Sequence, residues 1–539
     1  MQFNRKIQTS GFQKSTVVVA NYRKQLLSVT VWGGLLLGLG LCPGFSSALH
    51  AQNSGDTAKD RAAVAAARLD SIQNRVRELL KSNTDQDRLE VRKTAYQLAG
   101  SHDEKQMAYS AYFLKSLGQE SSSDSLTAEI KKQFPKGFTV LNDRAQAIYQ
   151  ATDPAEQEAM YNQLLADIPM KKDAAGKLLD EGDNIVYDYI CNSIAGNYIK
   201  NGDYEKGIAF ASKIVTKFWK GEGYGGAAAN LVREGQLERA KALYQQAISV
   251  SEVFYNQHPT KGPEAFAAVG YPGYLEGYAA ILLKEENYKE ALPILEKSFA
   301  ARKEHSPGSY LTYMQALSKT GHDQKAFEVG DEALKNGAGS DELKEALKSL
   351  YVKVKGGQAS DFDAYLKTAM EQLHAKYLEE LPKTMLDLPA TDFSIQDLDG
   401  KTVNLADYKG KTVILDFWAT WCGPCKRSFP AMQMAVNKYK NNPDVAFLFI
   451  DTWEKSQDAD QQVRKFITDN HYDFRVLLDR KPADPKENMV VDKYGISGIP
   501  TKFVIDPAGK IRFRLTGFGG GNDAAVQELS AMIELAQKG

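Results

Sequence analysis

The chain has 539 residues, 43% of them apolar and 25% charged. That is ordinary soluble usage and excludes wholesale disorder and fibrous architectures. Its 67 basic and 68 acidic side chains leave a formal charge of −1, which excludes general electrostatic binding to nucleic acid or to an anionic membrane surface. Four cysteines are too few for a disulfide scaffold, and a single strongly apolar segment excludes a multi-span membrane protein.

That segment comes first. Residues 5–24 carry Arg5, Lys6, Lys14, Arg23 and Lys24 and no acid, and Leu26–Leu41 is an apolar and small-residue run. Small residues follow, with Ala48 or Ala51 before a candidate cleavage point. Positive, apolar, then small is the order of a secretory signal, so residues 1–51 are expected to be a signal peptide that sends the chain outside the cytoplasm. An uncleaved anchor is the alternative, although the run is shorter than the roughly 20 residues of a bilayer span. Cys42 follows Leu41, where a lipoprotein signal needs a small residue.

Residues 52–380 are expected to be helical. Four segments share one design, a polar turn leading into an amphipathic helix: Asn201–Gly207, Glu234–Ala240, Glu285–Ala291 and Thr320–Ala326. The closing small residues lie 33, 51 and 35 apart. Two spacings are near 34, and the third fits 34 with an insertion. Tyr204, Ile208, Ala211, Val215 and Phe218 fall on one helix face, as do Tyr288, Leu292, Leu295 and Phe299. The design resembles degenerate tetratricopeptide repeats, which stack helix pairs because no pair alone buries its apolar face. The stretch 58–180 also reads as helical, without a clean period. Such a stack offers a concave surface for a peptide or protein partner; a spacer or dimerisation module is the other reading. Tyr271, Tyr274 and Tyr278, in the longer interval, fit packing between helices better than a contact patch. Cys191, beside Ile190 and Ile194, reads as a small buried hydrophobe. The seven histidines show no ligand spacing, so no metal is expected.

The pattern changes after Leu381–Thr384, which reads as a linker to a domain over 388–539 expected to fold alone. Phe393 and Ile395, an Asp399-Gly400 turn, then Val403 and Leu405 predict a hairpin. Thr412–Trp418 and Val445–Ile450 are apolar on both faces, as central strands of helix-covered sheets are. Lys502–Asp506 and Ile511–Leu515 predict a second hairpin around Pro507–Gly509. Helices are predicted over 425–440, 461–470 and 523–537. The fold class is thus α + α/β: a helical repeat array followed by an α/β sandwich.

Trp421-Cys422-Gly423-Pro424-Cys425-Lys426 follows the first central strand directly, and Gly498-Ile499-Pro500-Thr501 precedes a later one. With the extra hairpin ahead of that strand and the insertion between Asp451 and Tyr494, the last 150 or so residues resemble the extracytoplasmic TlpA/ResA-type thiol-disulfide oxidoreductases of the thioredoxin fold. The chemistry suits the residues. A thiolate is the attacking species, and Cys422 stands where a helix begins, where unpaired N–H groups and the helix dipole favour negative charge. Cys422 is therefore expected to be the exposed nucleophile, and Cys425, one turn on, resolves the mixed disulfide. Gly423 and Pro424 set the geometry between them; a proline so near a helix start costs little. Asp416 interrupts an apolar run, and burial should raise its pKa, which suits a proton acceptor for Cys425. The resemblance implies the same role. It also implies a cis Ile499–Pro500 bond against the dithiol, with the Ile499 backbone free to pair with an extended substrate; Trp421 is expected to line the site. Trp418 reads as core, and Pro430 as the family's helix kink.

Two positions depart from the family pattern. Phe447 stands where many thioredoxins place a Lys facing the buried acid, and Ser428 where ResA-like members carry a Glu. The expected reaction is dithiol–disulfide exchange on protein substrates, with the pair itself as the redox centre and no metal or organic cofactor. The Gly-Pro dipeptide and the resemblance imply a reductase fed by a membrane thiol donor. The alternatives are a peroxiredoxin-type peroxide reductase, whose Thr/Ser-x-x-Cys context is not reproduced by Thr420-Trp421-Cys422, and a repeat scaffold with a non-catalytic thioredoxin domain.

Overall fold

The computed structural model describes residues 57–82, 84–456, 458–481, 489–519 and 521–539. The expected signal peptide, with Cys42, lies outside the described residues. Among those described, no helix is long and apolar enough to cross a membrane. The chain divides into two compact units, Met1–Arg302 and Lys303–Gly539.

The described part of the first unit is helical. Helices α1 (Thr57–Ser82), α2 (Asp85–Ala99), α3 (Glu104–Ser116), α4 (Glu120–Gln133), α5 (Phe138–Gln150) and α6 (Pro154–Asp167) come first. After a gap follow α7 (Ile185–Lys200), α8 (Tyr204–Ser212), α9 (Lys217–Arg233), α10 (Leu237–Tyr255), α11 (Gly262–Lys284) and α12 (Tyr288–Ala300). The gap corrects the reading of 58–180 as wholly helical. Residues 168–184 form a loop folded round two polar side chains: Asn184 bonds the backbone of Lys171 and Leu179, and Asp173 accepts from the N–H groups of Ala175 and Lys177. Short polar side chains offer the backbone such alternatives to helix.

The shared turn design has one geometry. The N–H of Asp203, Gln236 and Asn287 donates to the carbonyl five residues back, at 3.0, 2.8 and 2.8 Å, the longer bond of a Schellman helix end. The residue before each donor has positive φ: 84° at Gly202, 74° at Gly235 and 61° at Glu286. The interval of 51 needs no extra element, because α10 and α11 are long, at 19 and 23 residues. Tyr271 and Tyr274 are buried, so packing is what they do. A Cβ on Gly225 would meet the Tyr274 ring at 2.2 Å, and that glycine lets α11 close on α9. Cys191 is fully buried, and burial pushes its thiol up to about 12.

The second unit begins with four more helices: α13 (Pro307–Lys319), α14 (Asp323–Lys335), α15 (Asp341–Lys355) and α16 (Asp361–Glu380). The fourth shared turn precedes α14, with His322 donating to Leu317 at 2.9 Å and Gly321 at φ 85°. A 3-10 turn, Leu381–Thr384, leads into the sheet domain. Its strands are β1 (Leu388–Pro389), β2 (Ser394–Asp397), β3 (Thr402–Asn404), β4 (Thr412–Trp418), β5 (Val445–Asp451), β6 (Val476–Leu478), β7 (Thr501–Ile505) and β8 (Lys510–Thr516). Its helices are α17 (Gly423–Tyr439), α18 (Ala459–Asp469), α19 (Val490–Lys493) and α20 (Asn522–Lys538). Sheet order is β1-β8-β7-β4-β5-β6-β2-β3. β4 runs parallel to β5 and antiparallel to β7. Alternation along β4 feeds two cores: Ile414 and Trp418 face α17, α18 and α20, while Val413, Leu415 and Phe417 face the other side.

The boundary expected near residue 380 is therefore displaced to Arg302/Lys303. Leu381, read as linker, is 9% exposed and belongs to the Trp418 core, with Tyr377 and Leu378 of α16 packed against that core. His374 reaches α20 at Gln527 O and Glu534 Oε2, and Gly521 N–H donates to Gly337 O at 3.1 Å. Four helices that read as repeat array thus share a unit with the sheet domain.

Candidate active site

Three pieces meet at the C-terminal end of β4. The strand ends at Trp418, and the N–H of Cys422 returns to Ala419 O at 3.1 Å, closing a turn that presents Cys422 as N-cap of α17. The Cys425 amide, at the helix start, donates to Cys422 Sγ at 3.2 Å, where it would stabilise a thiolate. The two cysteines form a disulfide. Gly423 and Pro424 occupy the first turn. Cys422 is 3% exposed and Cys425 fully buried, which corrects the expectation of an exposed nucleophile. Cys422 is the outer sulfur, but the Ile499 segment covers it, with the Ile499 carbonyl oxygen 3.7 Å from Sγ.

That segment is the second piece. The Ile499–Pro500 bond, just ahead of β7, is cis. Trp421, 52% exposed, flanks the pair, its indole N–H donating to Trp453 O at 3.0 Å. Trp418 is buried edge-on against Phe429, and Pro430 sits inside α17.

Asp416 is the third. It is 1% exposed, and burial raises its pKa. It is not alone: Lys502 Nζ stands 3.2 Å from Oδ1 and opposes that rise. β4 and β7 pair with Asp416 opposite Lys502, so the cation comes from the strand after the cis proline. The position opposite Asp416 on β5 is Phe449, so β5 offers an apolar neighbour there. Lys502 Nζ also reaches Ser428 Oγ at 3.5 Å, and Ser428 donates to Cys425 O at 2.8 Å. A polar thread therefore runs from Asp416 through Lys502 and Ser428 to the backbone of the inner cysteine. Lys502 lines a cavity of about 290 Å³ with Thr516 and Glu528, which is room for several waters. Sequence reasoning missed Lys502. The available signal was a lysine inside an otherwise apolar strand directly after Ile-Pro-Thr.

A disulfide at a helix start, covered by a cis-proline segment and backed by a buried carboxylate, defines a thioredoxin-fold thiol-disulfide oxidoreductase. Comparison agrees: residues 386–514 match the AhpC/TSA family. The chain is 32% identical over 145 residues to thiol-disulfide oxidoreductase ResA of Bacillus cereus (strain ATCC 10987 / NRS 248), covering 27% of this chain and 78% of that protein. It is 36% identical over 130 residues to ResA of Bacillus subtilis (strain 168), covering 24% and 65%. Among solved structures, a putative thiol:disulfide interchange protein DsbE from Chlorobium tepidum is 34% identical, covers 28% of this chain and 96% of its own, and has a TM-score of 0.24. This chain belongs to the ResA-like family of thiol-disulfide oxidoreductases.

Proposed function

We propose that the protein is an exported reductase of protein disulfides. Reduced Cys422 attacks a substrate disulfide, and one substrate sulfur leaves as a thiolate. Cys425 then attacks the mixed disulfide, releasing the second substrate thiol and closing Cys422–Cys425. Asp416 takes the Cys425 proton, with Lys502 favouring the ionised carboxylate against the effect of burial. The Ile499 backbone pairs with the extended substrate beside the disulfide, Trp421 lines the approach, and Gly423-Pro424 keeps the two sulfurs in reach. The cycle requires no metal or organic cofactor. A membrane thiol donor returns the pair to the dithiol, and the helical region recruits a peptide or protein partner. Export rests on the charge and apolar pattern of residues 1–51, and the reducing direction on the Gly-Pro dipeptide.

The observation that carries the reading is the juxtaposition of Cys422 with the Ile499–Pro500 segment, whose Ile499 carbonyl oxygen lies 3.7 Å from the outer sulfur. Reduction of insulin disulfides with dithiothreitol as donor tests it, with hydrogen peroxide as a separate substrate. The wild type accelerates insulin reduction, Cys422→Ser abolishes the acceleration, and peroxide is not turned over. A wild type inactive on insulin but active on peroxide reverses the assignment.

A further inference from the structure

We propose that Trp453 and Glu454, in the loop after β5, clamp the turn that presents the nucleophile, and that Glu454 is a positioning residue whose carboxylate also sets a negative charge beside Cys422. This deepens the exchange reading above and rests on it.

The turn Ala419–Cys422 has two central residues, and the loop holds both. Glu454 Oε1 accepts from the Thr420 N–H at 2.5 Å, and Oε2 from the Thr420 hydroxyl at 2.9 Å. Trp453 O accepts the Trp421 indole N–H at 3.0 Å. A bidentate carboxylate to an amide and a hydroxyl is charge-assisted and stronger than a neutral pair. The loop is itself anchored. Thr452 N–H donates to Trp418 O at 2.9 Å, and Thr452 Oγ1 to Asp479 Oδ2 at 2.9 Å. Asp479 in turn accepts from the Val490 and Val491 amides. Trp453 adopts φ 56°, a left-handed conformation that costs a bulky residue energy and that surrounding structure must impose. It turns the Trp453 carbonyl to the indole and the Glu454 side chain to Thr420.

Three charged groups lie around this loop, and Asp451 is the one that interacts with Glu454. Asp451, at the end of β5, is buried; burial, with Glu454 beside it, pushes its carboxyl up to about 8, against the pull of Arg480. Arg480 Nη2 lies 2.7 Å from both Asp451 and Asp460, so its charge is shared between two acids. Lys455 lies over the outer face of Trp421 at 5.7 Å. Glu454 is thus the carboxylate bonded directly to the nucleophile turn. A negative charge there disfavours the Cys422 thiolate. Oxidants of this chemistry gain their potential by stabilising the reduced form, so the same charge biases the pair toward donating electrons.

Three variants separate charge from geometry. Glu454→Gln keeps hydrogen-bonding capacity toward Thr420 and loses the charge; its Cys422 alkylation profile moves acid-ward by about half to one pH unit, about three- to tenfold in rate at pH 6, and its reduction potential becomes more oxidising. Glu454→Ala shows the same shift and also loses about tenfold in kcat/KM on insulin. Thr420→Val keeps the charge, so its profile stays and only kcat/KM falls. A wild-type Cys422 profile and potential in both Glu454 variants overturns the proposal, as does a fall in kcat/KM that merely tracks a lower melting temperature. If Glu454→Ala does not fold, Glu454→Gln and Thr420→Val decide alone. Failure of the wild type itself to reduce insulin would instead strike the exchange reading.

Discussion

Asp416 and Lys502 form a buried pair on neighbouring strands, 1% and 8% exposed at the side chain, and each changes what loss of the other does. A carboxyl whose folded pKa lies above its unfolded value binds its proton more tightly in the native state. Its contribution to stability therefore falls as pH rises from the ordinary aspartate range through the folded pKa. Lys502 limits that loss. Lys502→Met leaves burial unopposed, so the rising limb of the kcat/KM–pH profile moves alkaline by about one unit or more; an unmoved limb would remove the lysine from the proton step. Asp416→Asn alone strands a buried ammonium and is expected to cost about 3–5 kcal/mol in chemical denaturation, most of it recovered in Asp416→Asn/Lys502→Met. The acid was legible in the sequence, as one charge breaking an apolar run. Its partner was not, because it is fixed by antiparallel register between residues 86 positions apart, and local periodicity carries no register between distant strands.

The elements read well where a local rule is strong. β4, β5, β7 and β8 and helices α17, α18 and α20 lie within two residues of expectation at most ends, because apolar runs, Gly-containing turns and an N-cap residue each constrain a few neighbours. β6 escaped notice. Its three residues are strand only because they pair with β5 and β2, and three apolar residues have no period. The shared helix turns give the sharpest element-level prediction. Gly202, Gly235 and Gly321 take positive φ at no steric cost, whereas Glu286 holds φ 61° with a side chain. Glu286→Gly should relieve that cost and stabilise the first unit by about 0.5–1 kcal/mol, read as a higher denaturation midpoint. A lower midpoint would mean that other Glu286 contacts outweigh the backbone.

Periodicity shows that α13–α16 are amphipathic helices, but not which neighbour their apolar faces meet. Hence the boundary read at 380 stands at 302/303. Leu381 lies in the Trp418 core, and Tyr377 and Leu378, partly buried, pack on it; a fully buried apolar side chain stabilises by about 1.5–3 kcal/mol and a partly buried one by less. A fragment over 386–539 loses all three, together with the Lys344–Asp523 ion pair. It should melt roughly 10 °C or more below a fragment over 303–539, and differential scanning calorimetry of the two decides. Equal melting temperatures would return the boundary to 380 and make the last four helices dispensable to the fold.

The claim on which the rest depends is that Cys422, not Cys425, makes the bond to substrate. Cys425→Ser leaves one redox thiol, so attack proceeds and resolution cannot. Incubated with an oxidised protein substrate and digested without reductant, this variant should yield a mixed-disulfide peptide at Cys422 in near-stoichiometric amount, while Cys422→Ser yields none at Cys425. Comparable trapping at both positions, or trapping at Cys425 alone, would contradict the account.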